Sequence, residues 1–596
     1  MPATDCVNIA VGKSAWQSSL SKYSVGNDAE RALYADETLD YAFHTDREMN
    51  PWWLLDLGES FLVERIVLGN RRRTCQENAR TLAVEVSLDR KSWLTLHAGM
   101  LYWYADLCLE LASNIPFRYL RLSLREKQYF HLSKVEVWAR SSAILPIKDK
   151  VILAARTDGL GERLNALLNG LMLAKIFDIP FRFSWSDRFL GDPMHAIDPV
   201  CDFFDKKFVD EYFSPESLPG KRWEVGGKNI ALAELRNSIV KADVILAPRL
   251  GLDEIFGAKF HMPEYFGFST LFDELPFARE VESAISLARS ISLPEGAVGF
   301  HLRSGDIFYG RYRKWVNYTY KGVTLPLAKM VIESLVSEGR KVYLFGQDDE
   351  AIDYLCREYG TIDIRCSIGE QLEGMGRTQR AMFDLVMLSR FKTILAGSSG
   401  FAKQASWIGG GELVMPFHMF DIERQLNSIE GDLLVNADVY NPLQTAFAYW
   451  YAYYRGRGLK RYDQDNRFLA LAEFYDQDNE LYPLVRAASG FFAQDYKGGE
   501  QTLSVFFKRW QSAGKDISSI FNVFVARTNG VYNLREFHPG YKQAAELGKP
   551  FSCCLYAYFC GHSGDDKRQK EILGKVDFSL PGLQALEAML KGLNGV

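Results

Sequence analysis

The stretch GFHLRSGDI, residues 299–307, places His301, Arg303 and Asp306 at the end of the apolar run Ala297-Val298-Gly299-Phe300. The run predicts a buried strand, and open α/β sheets bind ligands at the C-terminal ends of their strands. A guanidinium fixed there suits an anion, phosphate above all, because it is always charged and its forked donors match oxygen pairs. The plainer alternative is that Arg303 only pairs with Asp306 at a strand end.

Two further stretches carry related chemistry. RTDGLGERLNALLNG, residues 156–170, reads as a strand, a glycine loop and a helix. Gly159 and Gly161 let backbone N–H groups approach a ligand, and a helix N-terminus favours negative charge. The third glycine of a dinucleotide fingerprint is missing. Glu162, in the first helical turn, is either a helix-stabilising charge or a base at the mouth of a cleft. In DLVMLSRFKTILAGSSGFAKQASWIGG, residues 384–410, a helix bearing Asp384 leads into a strand, and Ser398 and Ser399 open the next helix. Hydroxyls and free N–H groups at a helix start hold phosphate oxygens. Serine also caps helices routinely, and the two roles are compatible.

The elements that must position these residues follow from periodicity. Up to about residue 140 the chain alternates in period two, as in RTLAVEVSL, RYLRLSL and KVEVW, which predicts a β-sandwich. Residues 141–149 read as a linker. From 150 to 430 the strands VILAAR, FRFSW, ADVILAP, AVGFHLR, KVYLFG, KTILAG and GELVM alternate with helices, which predicts parallel sheets. That span is long for one sheet, so two Rossmann-like halves are expected. The tail, 431–596, is aromatic-rich and helical in pattern. YDQDN occurs in it twice, at 462–466 and 475–479. Its D-x-D could be a metal motif, but helix capping is the stronger reading.

A net charge of −5 over 596 residues implies no general affinity for nucleic acid. No run of 18 apolar residues exists to span a membrane. Nine scattered cysteines without a C-x-x-C pair suit a reducing compartment, and nine scattered histidines give a zinc site little to build on. The opening residues lack a basic and then apolar leader. A cytoplasmic location, free or peripheral to an inner membrane, is the expectation.

Taken in order, Gly-Leu-Gly-x-Arg, His-x-Arg-x-Gly-Asp, Asp-x-x-x-x-Ser and Ser-Ser resemble the GDP-fucose-dependent fucosyltransferases over residues 150–415. The resemblance implies a GT-B fold, with two Rossmann-like domains facing a cleft. It also implies inversion at the anomeric carbon, GDP-fucose as donor substrate, and neither cofactor nor metal. Arg303 would bind the diphosphate and stabilise the leaving group. His301 and Asp384 would lie near the guanine and ribose, and Ser398 and Ser399 on phosphate oxygens. Gly159, Gly161 and Arg163 would complete the nucleotide-sugar site. Glu162 would be the base, with Asp306 as the alternative.

NIAVGKSAWQSS, HTDRE and NPWWLLDLGESFLVERIVLGNR resemble discoidin domains (coagulation factor 5/8 type C) and the fucolectins over residues 7–140. That implies a jelly roll in which His44, Arg71 and Arg80 occupy the places of the sugar-gripping residues. Trp52, Trp53 and Asp56 read as structural. The segments RRRTCQENAR and ALYADET depart from the family, so calcium does not carry over.

The expected chain is therefore multidomain. It has a sandwich at 1–140, a linker at 141–149, a GT-B glycosyltransferase at 150–430 and an all-α accessory domain at 431–596. Its partners would be a GDP-sugar, a glycan acceptor that is lipid-linked or part of a bacterial surface polysaccharide, and a second copy bound through the tail. Three alternatives stand beside this reading: another nucleotide sugar as donor, a non-catalytic carbohydrate-binding adaptor, and a front domain that anchors to a membrane surface.

Overall fold

The structure is a computed structural model. It describes residues 6–593 apart from 25–27, 35, 37, 103–104, 112–114, 145–148, 186–196, 215–217, 227–229, 231, 253–254, 256–267, 373, 529 and 581. Part of the expected linker and two residues of ALYADET thus lie outside the described residues. The chain forms two compact units. The first is Met1–Leu287 with Gly376–Phe383 and Trp407–Gly410; the second is Ala288–Met375 with Asp384–Ser406 and Gly411–Val596. Among the described residues no helix is long and apolar enough to cross a membrane.

The first unit opens with an antiparallel sandwich of β1 (Cys6–Asn8), β2 (Ser14–Gln17), β3 (Glu48–Met49), β4 (Trp52–Gly69), β5 (Leu82–Ser87), β6 (Leu94–Gly99), β7 (Leu107–Glu110), β8 (Pro116–Leu124), β9 (Lys127–Gln128) and β10 (Lys134–Ile144). The main sheet runs β1-β10-β4-β8-β5-β6. Alternation sets its core: Leu82, Val84 and Val86 pack inward with Leu120, Leu122, Leu124, Val135 and Val137. Trp53 is fully buried and donates from its indole nitrogen to Ala29 O. β10 continues to Ile144, across the first residues of the expected linker.

A parallel sheet follows in the same unit, of β11 (Val151–Arg156), β12 (Phe181–Trp185), β13 (Arg222–Glu224) and β14 (Val244–Leu246), ordered β12-β11-β14-β13. The helix Leu160–Phe177 crosses between β11 and β12. The sandwich docks on this layer through its β5–β6 turn. Asp89 pairs with Lys175 at 2.8 Å near the end of that helix, and Lys91 pairs with Glu274 at 2.5 Å.

The second unit holds a parallel sheet of β15 (Val298–Leu302), β16 (Val342–Gly346), β17 (Ile362–Asp363), β18 (Thr393–Ala396) and β19 (Glu412–Val414). Its order is β17-β16-β15-β18-β19, or 3-2-1-4-5, the doubly wound order of open α/β sheets. The first sheet runs 2-1-4-3 in the same terms, so the second follows the doubly wound order and the first departs from it. All five residues of β15 are buried, because helices cover both faces of such a sheet. The topological switch point lies between β15 and β18.

The tail belongs to this second unit and shares its core. One apolar cluster runs from Val298 and Phe300 through Phe447, Trp450 and Tyr482 to Phe507 and Leu590. The helix Ile422–Asn436 passes straight through residue 431, where composition suggests a boundary. The first YDQDN forms the opening turn of the helix Tyr462–Tyr475. The second precedes Leu481–Phe492, and its Asn479 side chain accepts from Leu481 N at 3.1 Å.

The aromatic richness of the tail follows from what it covers. The segment after β15 is clamped by it at several points. Phe308 packs on Phe447 with ring centroids 4.3 Å apart, and Trp450 donates to Thr319 Oγ1 at 2.8 Å. Arg313 pairs with Asp476 at 2.9 Å and Lys314 with Glu480 at 2.5 Å. Asp348 accepts from both Tyr309 and Gln444. Phe447→Ala is expected to cost about 3–5 kcal/mol in urea unfolding of the second unit, as for other buried phenylalanines. A cost below about 1 kcal/mol would mean that this contact does not hold the segment.

Candidate functional site

The switch point gathers His301, Arg303, Asp306, Ser398 and Ser399. β15 ends at Leu302, and the chain passes through Arg303 and Ser304 into the short turn Gly305–Phe308. Arg303 Nη2 donates to both carboxylate oxygens of Asp306, at 2.8 and 3.0 Å. Asp306 is 2% exposed, whereas the Arg303 side chain keeps 24% of its surface open. The acid is thus buried beneath the cation and holds it at the strand end.

β18 ends beside β15 in parallel register, His301 opposite Ala396. Beyond it come Gly397, Ser398 and Ser399, and then the helix Gly400–Gly409. Ser398 N donates to Tyr320 O at 2.7 Å. Gly397 has to be glycine here, since a Cβ would stand 2.3 Å from Lys321 O. The His301 ring stacks on Phe401, centroids 5.2 Å apart, and so ties the two strand ends together. Ser398 is exposed and Ser399 buried. Burial and the Arg303 charge push the His301 imidazole down to about 3, so it is neutral at ordinary pH.

Asp384 sits on the helix Arg377–Ser389, within electrostatic reach of Arg365. Arg365 binds Asp363 in two places and donates to Gly346 O at 3.1 Å, at the end of β16. Burial draws the Arg365 guanidinium down, but the Asp363 hydrogen bond and the charges of Asp384, Asp363 and Asp349 raise it above its usual range.

Several buried polar atoms here have no hydrogen-bond partner among the described residues: His301 Nδ1, Ser304 Oγ, Ser399 Oγ and both amide atoms of Gln404. Buried polar groups in folded proteins are nearly always paired. Such orphans beside a switch point call for a partner, either water or a polar ligand. Sequence reasoning missed Ser304, Gln404, Phe401 and Arg365. Ser304 lies inside the His-x-Arg-x-Gly-Asp stretch, so position could have found it. Gln404 carries no signal, being one polar residue in an apolar helix.

Gly159, Gly161, Glu162 and Arg163 lie in the first unit, where β11 meets the helix Leu160–Phe177. Gly159 caps this helix in extended backbone, and its carbonyl accepts from Glu162 N and Arg163 N. Arg163 is buried. It donates to Asp158 O at 2.7 Å and lies over the Trp185 ring, which makes it a staple of the loop. Arg156 grips Asp158 through two hydrogen bonds of 2.9 and 2.7 Å. Burial raises the Asp158 carboxyl, and Arg156 outweighs that and holds it below the usual carboxylate range. Glu162 is half-buried on the first helical turn.

In the sandwich, His44 and Arg71 come together and Arg80 does not join them. His44 is buried, with Nδ1 3.0 Å from Ser21 Oγ and 2.9 Å from Thr45 O. Arg71 bonds Asp40 at 2.7 Å and lies over Tyr41, whose ring meets His44 edge-on at 5.1 Å. His131 completes the cluster, 5.1 Å from the His44 ring. Burial, then His44 and Arg71, lower it to about 3. Arg80 instead pairs with Glu126 at 2.5 Å on the exposed surface. Loop residues 70–81 precede β5 and the docking turn 88–93 follows it, so the His44 cluster stands at the opposite end of the sandwich from the dock.

The sandwich matches the F5/8 type C family model described as a NedA-like, galactose-binding domain, over residues 34–100. Three solved structures are similar to it. One is the lectin domain of lectinolysin in complex with Lewis B antigen, at 29% identity over 23% of this chain and 98% of that one, with a TM-score of 0.21. Another is SpX-3, a fucose-binding module of Streptococcus pneumoniae, at 20% identity over 22% and 96%, with a TM-score of 0.20. The third is a fucolectin from the serum of striped bass, Morone saxatilis, at 21% identity over 23% and 49%, with a TM-score of 0.21. No curated protein matches the chain. The N-terminal sandwich is a discoidin domain of the F5/8 type C kind.

The neutral imidazole of His301 makes acid stability a test of its burial. Its folded value, about 3, lies below the ordinary 6.5, so it binds fewer protons folded than unfolded. Its contribution is complete above pH 6.5 and is lost as pH falls toward 3. Between about pH 7.5 and about pH 5, the wild-type second unit should lose about 2 kcal/mol more than a His301→Phe variant in urea unfolding. Parallel pH curves would show that His301 is solvated.

Proposed function

We propose that the protein is an inverting, metal-independent glycosyltransferase of GT-B type, moving fucose from GDP-fucose to a hydroxyl of a glycan. The acceptor class is a surface polysaccharide or lipid-linked glycan. The observation that carries the reading is the setting of Arg303 at the switch point of a doubly wound sheet, beside a serine-led helix start and orphaned buried polar atoms. In this reading Arg303, Ser398 and Ser399 take the diphosphate. His301 and Asp384 face the guanine and ribose.

As the acceptor oxygen bonds to the anomeric carbon, the bond from that carbon to the β-phosphate oxygen breaks, and its electron pair stays on the oxygen. A preorganised cation there lowers the barrier without a metal. Asp306 turns both oxygens to Arg303 from a buried position, so it orients the cation. The acceptor proton passes to a general base, for which the fucosyltransferase resemblance names Glu162 and, as the alternative, Asp306. The discoidin domain binds glycan through His44 and Arg71, whereas Arg80 is occupied by Glu126.

A second reading, a carbohydrate-binding adaptor without transfer, is favoured by the family match of the front domain. Calorimetric titration with GDP, UDP and ADP, with and without a chelator, separates the two. GDP should bind, indifferent to chelation, and Arg303→Ala should weaken it more than about tenfold with the fold retained, a loss of ~1.4 kcal/mol or more. Preference for UDP would discard fucose as the sugar. Absence of all nucleotide binding would leave the adaptor. Independently, Arg71→Ala should abolish binding of a Lewis-type fucosylated oligosaccharide while leaving GDP affinity unchanged. Retained oligosaccharide binding would remove Arg71 from the glycan site.

A further inference from the structure

We infer that the second unit carries a saccharide subsite between the Arg311–Lys314 turn and the helix Ser518–Val525, built to hold one sugar ring against Trp315. Its purpose, to seat a ring of the acceptor glycan, rests on the transferase reading above. A cavity of about 230 Å³ lies there. That is below the roughly 300–1,000 Å³ of sites for drug-sized ligands, and suits a single ring. Trp315, Val523 and Ala526 make its lining mainly apolar, and Arg311 and Asn522 add polar groups.

Trp315 is half-buried, and its indole N–H has no partner among the described residues. The other tryptophans of the second unit behave differently: Trp450 donates to Thr319 and Trp510 to Asp516 O. The exposed Asn522 carboxamide is likewise without a hydrogen bond among the described residues. The walls are preformed. Glu480 holds Lys314, and Asn533 binds both Lys314 O and Val316 N.

This combination selects the ligand chemistry. A pyranose has one face of C–H groups to lie on an indole and a girdle of hydroxyls that both donate and accept. An indole N–H and a carboxamide answer those hydroxyls. An aliphatic chain would leave them unused. Of the two cations in the lining, Lys314 is already neutralised by Glu480, which leaves a simple anion only Arg311, whose guanidinium lies over Tyr312. The turn also follows directly in the chain on the segment that carries Arg303 and Asp306.

Fluorine NMR of the whole chain labelled with 5-fluorotryptophan tests the inference, with the Trp315 signal assigned by Trp315→Phe. The probes are methyl α-L-fucoside, N-acetyllactosamine and maltose. At least one should move the Trp315 signal saturably, and Asn522→Ala should weaken that response about threefold or more. A Trp315 signal unmoved by all three sugars, or a response unchanged in Asn522→Ala, overturns the subsite. GDP titration of the same sample keeps the two readings apart. A shifted Trp315 signal without GDP binding leaves a sugar site and removes the transferase, and GDP binding with a silent Trp315 does the reverse.

Discussion

The second unit is organised around a cation that must be held at the end of a wholly buried strand. β15 has no exposed residue, so polar chemistry can emerge only where the strand stops, at Arg303. A guanidinium in that position needs a counter-charge to stay ordered, and Asp306 supplies it from beneath with two hydrogen bonds to one nitrogen. The Arg303 side chain keeps 24% of its surface open above this pair. Strand order then brings the end of β18 alongside with its two serines and a helix start, and the loop at Tyr320 holds Ser398 N.

Such a site is only as ordered as the segment that follows it, and here the tail becomes indispensable. Residues 308–320 have little regular structure of their own, apart from short helical turns. They are fixed by buried aromatics and by charges between the helices Tyr462–Tyr475 and Leu481–Phe492, with Asp476 and Glu480 nearly inaccessible to solvent. The Lys329–Asp432 pair, flanked by Tyr440, ties the helix Ile422–Asn436 to the helix Leu325–Ser337. The tail is thus a wall of the second unit, and the cavity beside Trp315 is a product of that construction.

The discoidin domain is joined to its neighbour by a few ion pairs at one end of the sandwich, and its His44 cluster stands at the other. A polar dock of this kind fixes direction more than it adds stability, because partly exposed pairs contribute modestly. It leaves the rim facing away from the helix that carries Lys175.

Local pattern was enough to read the classes of element, since alternation and helical spacing are set by neighbours in the chain. It also located Arg303, Asp306, Ser398 and Ser399, because strand ends and helix starts are local events. The discoidin likeness of the front domain was legible in NPWWLLDLGES for the same reason, as a strand with its core tryptophan. Three matters were settled only by the fold. Composition placed a domain boundary at residue 431, but buried contacts join segments more than a hundred residues apart, such as Thr319 and Trp450. Arg80 and Arg163 stand out through family resemblance, and the fold supplies the protein partners they carry, Glu126 and the Asp158 carbonyl. Gln404 and His131 look unremarkable in the chain, yet burial turns one into an orphaned amide and the other into a neutral imidazole. What a side chain can do depends on its partners and its solvent, and both are assembled from distant parts of the sequence.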